Sequence, residues 1–147
     1  MKPLPQVLLV DDNPADVGLT REALAGGRHQ ANIRDVGDGE EALAFLHRAG
    51  RYADAERPDL VILDLNLPKK DGKAVLEQVK ADAELRSIPI VVFSTSRSMM
   101  DIAGSYELGA NCYVSKPGNL DGYFLAMRSI EEFWFGSASL PRKDKQG

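Results

Sequence analysis

Val61-Ile62-Leu63-Asp64-Leu65-Asn66-Leu67-Pro68, followed by Asp71-Gly72, is the stretch that decides the fold. A run of strand-forming residues ends in a carboxylate and breaks into turn residues, which places Asp64 at the lip of a buried strand. Three other runs end in the same way. Val7-Leu8-Leu9-Val10 gives way to Asp11-Asp12, Ile90-Val91-Val92-Phe93 to Ser94, and Tyr113-Val114-Ser115 to Lys116-Pro117. Four strand ends thus deliver three acids, a hydroxyl and an ammonium.

Between these runs lie stretches of helical period, and the alternation predicts five βα units around a parallel sheet. The expected strands cover 6–10, 31–36, 59–63, 89–93 and 112–114. The expected helices cover 14–26, 38–49, 72–81, 98–108 and 119–134. Asn13 with Pro14 makes a helix start, Gly26-Gly27 a stop, and Asp38 a second cap. Strand 2 carries the weakest pattern. Strands 1, 3 and 4 are nearly continuous in Val, Ile and Leu, as central strands covered on both faces must be. The fold class is therefore α/β, an open doubly wound sheet.

Composition narrows the function. At 147 residues with 44% hydrophobic content, the chain suits one domain with a substantial core. A formal net charge of -4 leaves no basic footprint for nucleic acid or an anionic membrane. The longest apolar runs are too short to span a bilayer, and Met1-Lys2-Pro3 lacks the apolar core of a signal peptide, so a cytoplasmic protein is expected. The single cysteine, Cys112, excludes an internal disulfide and reads as a buried, inert thiol. His29 and His47 stand in a turn and a helix with no carboxylate or metal-ligand spacing beside them, and are assigned surface or packing roles.

Ligands of doubly wound sheets sit outside the carboxyl ends of the strands, where the winding direction switches. Asp11, Asp12, Asp64, Ser94 and Lys116 all fall there. Each alone has an ordinary role: a helix cap, a turn residue, a solvated charge. Together, the carboxylates repel one another by about 3 kcal/mol per pair at ~5 Å and an effective dielectric near 20, so a cation must offset them. Hard oxygen donors without clustered His or Cys favour Mg2+ over zinc. A cation beside Asp64 would shield that carboxylate from an incoming phosphoryl group, making Asp64 a nucleophile whose product Ser94 and Lys116 could grip.

At this point the residues resemble the receiver domain of two-component response regulators, the flavodoxin-like (βα)5 fold, a three-layer sandwich with strand order 2-1-3-4-5. The resemblance covers about residues 5–134. It rests on Asp11-Asp12, the D-x-N-x-P-x-x-D-G stretch from Asp64 to Gly72, Ser94, and Tyr113 ahead of Lys116-Pro117. It implies that Asp64 accepts phosphate from a sensor histidine kinase. It also implies Mg2+ held by Asp12 and Asp64, by Asp11 through water, and by the Asn66 backbone carbonyl. Further implications are a cis peptide at Lys116-Pro117, a switch pair of Ser94 and Tyr113, and tuning of phosphate lifetime by Asn66 and Ser96. Such a domain is no enzyme toward other substrates; it catalyses only its own phosphorylation and dephosphorylation. Added phosphate would draw Ser94 inward, let Tyr113 rotate, and reshape the face made by helix 4, strand 5 and helix 5.

Residues 5–135 are read as the receiver and 136–147 as a short tail with no output domain, so signalling is expected through docking or onward phosphotransfer. In helix 5, Leu120, Phe124, Met127 and Trp134 form one apolar stripe, whereas Leu125 and Phe133 point away from it. With Phe135 they form a candidate homodimer surface on the helix 4, strand 5 and helix 5 face. The segment Gly50–Pro58 reads either as a solvated extension of helix 2 or as part of a narrower resemblance. That resemblance also uses the Asp-Asp-Asn-Pro-Ala-Asp opening and Ile130-Glu131-Glu132-Phe133-Trp134 with Leu140-Pro141. It is to the single-domain receivers that partner phytochrome-type kinases, bacteriophytochromes among them. Among rivals, a haloacid-dehalogenase-type phosphatase needs an acid where Asn66 stands, and a flavodoxin needs a Ser/Thr/Gly-rich loop where Asp11-Asp12 stand. A non-phosphorylated pseudo-receiver, acting as an interaction or dimerisation module, is the alternative that remains.

Overall fold

Five strands pair in parallel in the order β2-β1-β3-β4-β5 in the computed structural model, which describes residues 3–141. They are β1 (Gln6–Val10), β2 (Asn32–Val36), β3 (Leu60–Leu63), β4 (Ile90–Ser94) and β5 (Cys112–Ser115). The helices are α1 (Pro14–Ala25), α2 (Gly39–Leu46), α3 (Gly72–Ala81), α4 (Met99–Glu107) and α5 (Leu120–Glu131). The fold class and strand order are those expected from the sequence.

Alternation along each strand divides the core into two layers. Leu8, Val10, Val61, Leu63, Ile90 and Val92 pack with the apolar faces of α2 and α3. Val7, Leu9, Leu60, Ile62, Val91 and Phe93 pack with α1 and α5. Every residue of β3 and β4 is buried, which is why neither strand shows a polar alternation. Each such side chain contributes roughly 1.5–3 kcal/mol through burial. Strand β2 lies at the sheet edge and is mostly exposed, and its pattern is correspondingly weak.

Helix starts follow the caps. Asn13 accepts hydrogen bonds from the Ala15 and Asp16 N–H groups, Asp38 from Glu41, and Asp71 from Ala74. Gly72 has a second reason to be glycine. Its N–H donates to Leu65 O at 2.8 Å, and an added Cβ would stand 2.6 Å from Leu65 Cα and overlap the Asp64 carbonyl. The D-G pair thus folds the chain tightly back beneath Asp64.

Four expectations need correction. Helix α2 ends at Leu46, and Gly50–Tyr52 forms a 3-10 turn rather than a solvated extension, because Tyr52 and Ala55 are buried and Tyr52 packs its ring 5.2 Å from Phe45. Leu120 is exposed: it is the first residue of α5, ahead of the turn that meets the core. Phe135 is partly buried against the α1/α5 layer and does not join exposed Leu125 and Phe133, because the chain widens into a π-helical turn at Glu132–Ser137. The Lys116–Pro117 peptide is trans, since an X–Pro bond keeps a trans preference of about 0.5–1 kcal/mol and Lys116 reaches its partners from that isomer. Of the expected tail, residues 142–147 lie outside the described residues. Among those described, no helix is long and apolar enough to cross a membrane.

Candidate functional site

The parallel register sets the site. Val10 pairs with Leu63, so the next residue of each strand, Asp11 and Asp64, emerges side by side. The Asp64 N–H donates to Val10 O at 2.9 Å and the Asp11 N–H to Val36 O at 3.1 Å, which holds both lips of the crevice. Ser94 pairs with Ser115, and the Lys116 N–H donates to Ser94 O at 2.7 Å. All the groups that the sequence placed at strand ends therefore lie along one edge.

Lys116 is the centre of the charge arrangement. It is buried, and its Nζ donates to Asp11 Oδ2 at 2.8 Å, Asp16 Oδ2 at 2.9 Å and Asp64 Oδ2 at 3.2 Å. The ammonium also stands 5.8 Å from the Phe93 ring centroid. Burial alone would push its pKa down, but the hydrogen bonds from Lys116 to Asp11 and Asp16 and the charges of Asp11 and Asp64 outweigh this and raise it. The lysine is a fixed positive charge. On Asp11 the balance runs the other way: desolvation raises its pKa against the lowering effect of Lys116 and of the Asn13 N–H.

Asp11, Asp12 and Asp64 each offer an oxygen, and the three atoms lie within 4.8 Å of one another, with Asp12 on the exposed side. This all-oxygen set fits a hard divalent cation. Asn66 is exposed, and its N–H stands 3.4 Å from Asp64 Oδ1. Ser94 is fully buried, with its Oγ 3.3 Å from the Ser96 N–H. Tyr113 is partly buried and donates its hydroxyl to Ser96 O at 2.8 Å.

Two acids went unread in the sequence. Asp16 joins the crevice from the first turn of α1, where Tyr123 fixes it by donating to Asp16 O at 3.1 Å while sharing a 2.8 Å hydrogen bond with buried Thr20. Its signal was an acid in the first turn after the Asn13-Pro14 helix start. Asp101 accepts from Ser96 Oγ at 2.5 Å and from Lys73 Nζ at 2.7 Å, which ties the β4–α4 loop to α3. The bonds from Lys73 and Ser96 hold its carboxyl below the usual range. Ser98-Met99-Met100-Asp101 has the S-x-x-D spacing of a helix start, which was the legible cue. Cys112 is half-buried rather than buried, and burial raises its thiol pKa, in keeping with an inert role.

The chain matches the response regulator receiver domain family over residues 7–127. It is 43% identical over 135 residues to response regulator Rcp1 of Synechocystis sp., covering 92% of each chain. The structure of phosphorylated RcpA, a cyanobacterial phytochrome response regulator, superposes with a TM-score of 0.92 at 48% identity, over 95% of this chain and 100% of that one. The Mn2+-bound form of Rcp1 superposes with a TM-score of 0.90 at 42% identity, over 94% of this chain and 99% of that one.

Proposed function

Because the chain belongs to the response regulator receiver family, we propose that it is a phosphoacceptor, taking a phosphoryl group from a sensor histidine kinase onto Asp64. The observation that carries this reading is the reach of Lys116 Nζ to Asp11, Asp16 and Asp64 at once. A buried ammonium held against the acceptor carboxylate is positioned to move onto the phosphoryl oxygens when they arrive.

In the transfer, an Asp64 carboxylate oxygen bonds to phosphorus while the bond from phosphorus to the donor imidazole nitrogen breaks, its electron pair leaving with the imidazole. Lys116 then pairs with the new oxygens, and the Ser94 hydroxyl donates to one of them. Asp11, Asp12 and Asp64, with the Asn66 carbonyl, would hold Mg2+. That ion, when bound, supplies neutralising charge for the phosphoryl oxygens. The Mn2+-bound form of Rcp1 supports a divalent ion here. Asn66 and Ser96 flank the path of a hydrolytic water, and the domain catalyses nothing beyond its own phosphorylation and dephosphorylation.

Moving Ser94 toward phosphate frees Tyr113 to leave Ser96 O, which reshapes α4, β5 and α5. Met99, Met100 and Tyr106 of α4 are exposed and suit a downstream target. Leu125 and Phe133 are exposed at α5, Leu125 beside Glu22 and Gly26 at the end of α1, and suit a second copy of the chain. Sedimentation velocity of Leu125→Asp beside the unaltered chain tests the self-association. The similarity to RcpA supports a phytochrome-type kinase as the donor, and the formal net charge of -4 supports a reading without nucleic acid contact.

Intact mass after incubation with acetyl phosphate and Mg2+ tests the proposal. A gain of one phosphoryl group, absent in Asp64→Asn and after chelation, is expected. No gain under any condition would overturn it and favour an unphosphorylated interaction module.

A further inference from the structure

At the opposite edge of the sheet, where the α1–β2 loop meets the end of α5, His29, Glu131 and Glu132 bring one donor atom each within 4.8 Å of one another. The sequence pattern alone gives His29 a surface or packing role, because its carboxylate neighbours come from α5, 102 residues further on for Glu131. Glu131 is fully buried. Its Oε2 accepts the His29 N–H at 2.9 Å, but its Oε1 has no hydrogen-bond partner among the described residues.

A desolvated carboxylate keeps its charge only when a cation answers it. The cations present do so poorly. Arg28 Nη1 is 3.9 Å from Glu132 Oε1 and its side chain is 84% exposed. His29 Nε2 is 3.8 Å from Glu131 Oε2 and 3.6 Å from Glu132 Oε2, too far for hydrogen bonds. Those separations are close to the roughly 3.4 Å between neighbouring donors on a tetrahedral ion with bonds of about 2.1 Å.

The backbone makes room for such a group. An added Cβ at Gly27 would overlap the Glu131 carboxylate, and one at Gly136 would stand 2.8 Å from His29 Nε2. The helix also changes pitch at this point, opening into its π turn at Glu132, and such turns recur at functional sites.

We propose that His29, Glu131 and Glu132 form a second divalent-metal site, of zinc type, separate from the acidic crevice. One imidazole and two carboxylates, with water completing the shell, suit Zn2+ better than Mg2+. The ion answers the Glu131 charge and clamps the α1–β2 loop to the end of α5.

The test is calorimetric titration of Zn2+ into the metal-stripped full chain, with excess Mg2+ present to occupy the crevice. One Zn2+ per chain is expected, with unchanged affinity in Asp64→Asn and affinity at least roughly tenfold weaker in both His29→Ala and Glu132→Gln. His29 lies in a loop and Glu132 is partly exposed, so the two variants together guard against a folding defect in either. Co2+ substituted for Zn2+ is expected to give the visible bands of a four-coordinate ion. No Zn2+ binding, binding indifferent to His29 and Glu132, or binding lost in Asp64→Asn would overturn the proposal.

Discussion

Two groups of carboxylates stand at opposite edges of the same sheet, and they differ in how their charge is answered. At the carboxyl edge, Asp11, Asp16 and Asp64 share the buried ammonium of Lys116. At the amino edge, Glu131 is buried just as deeply, yet one of its oxygens has no partner among the described residues. The contrast teaches that burial of an acid does not by itself mark the reactive site. The crevice carries its own counter-charge, so it is set to exchange partners when an anion arrives, whereas the amino-edge cluster is complete only with an added cation.

The largest effect expected from this contrast is at Lys116. Replacing it, Lys116→Met, leaves buried carboxylates facing one another and should lower the unfolding free energy by about 3–5 kcal/mol in metal-free urea titrations. Added divalent ion should restore part of that loss. A loss below about 1 kcal/mol would mean that the crevice charges are answered elsewhere.

The pH dependence of that gap follows from the raised pKa of Lys116. A base whose folded pKa lies above its unfolded value of about 10.4 contributes fully below that value and loses the contribution as pH rises through the folded one. Urea titrations of the unaltered chain and Lys116→Met should therefore differ equally at pH 7 and pH 9, and converge only under strongly alkaline conditions. A gap that shrinks between pH 7 and 9 would place the titration on another group.

Asp16→Asn should have a smaller effect, about 1.5 kcal/mol by the same titration, because Lys116 keeps two of its three charged partners. The smallest belongs to the amino edge. In zinc-free protein, Glu131→Gln should change stability by no more than about 1 kcal/mol, since the amide oxygen can still accept from the His29 N–H while the unanswered charge is gone. A loss as large as that for Lys116→Met would erase the contrast between the two edges.

The crevice was legible because its residues follow directly from strand ends, and a parallel sheet gathers those ends whatever the length of the intervening chain. Asp64, Asp11, Ser94 and Lys116 needed only the strand pattern. Asp16 and Asp101 enter from first turns of helices, where the direction of a side chain depends on how the helix docks. His29 and Glu131 share no local pattern at all; helix α5 alone brings them together. The Gly50–Pro58 segment misled for a different reason. Its charged residues mask Tyr52, which is buried, shares Glu41 with Arg51 through hydrogen bonds, and lies 4.9 Å beneath the Arg51 guanidinium.

The central claim is that Asp64, and not its neighbours, is the acceptor in the crevice. An acyl phosphate on aspartate can be trapped by borohydride, which reduces it to homoserine, and peptide sequencing by mass spectrometry then locates the converted residue. After incubation with acetyl phosphate and Mg2+, conversion confined to Asp64 is the expected result. Conversion at Asp11, Asp12 or Asp16 with Asp64 unmodified would contradict the account.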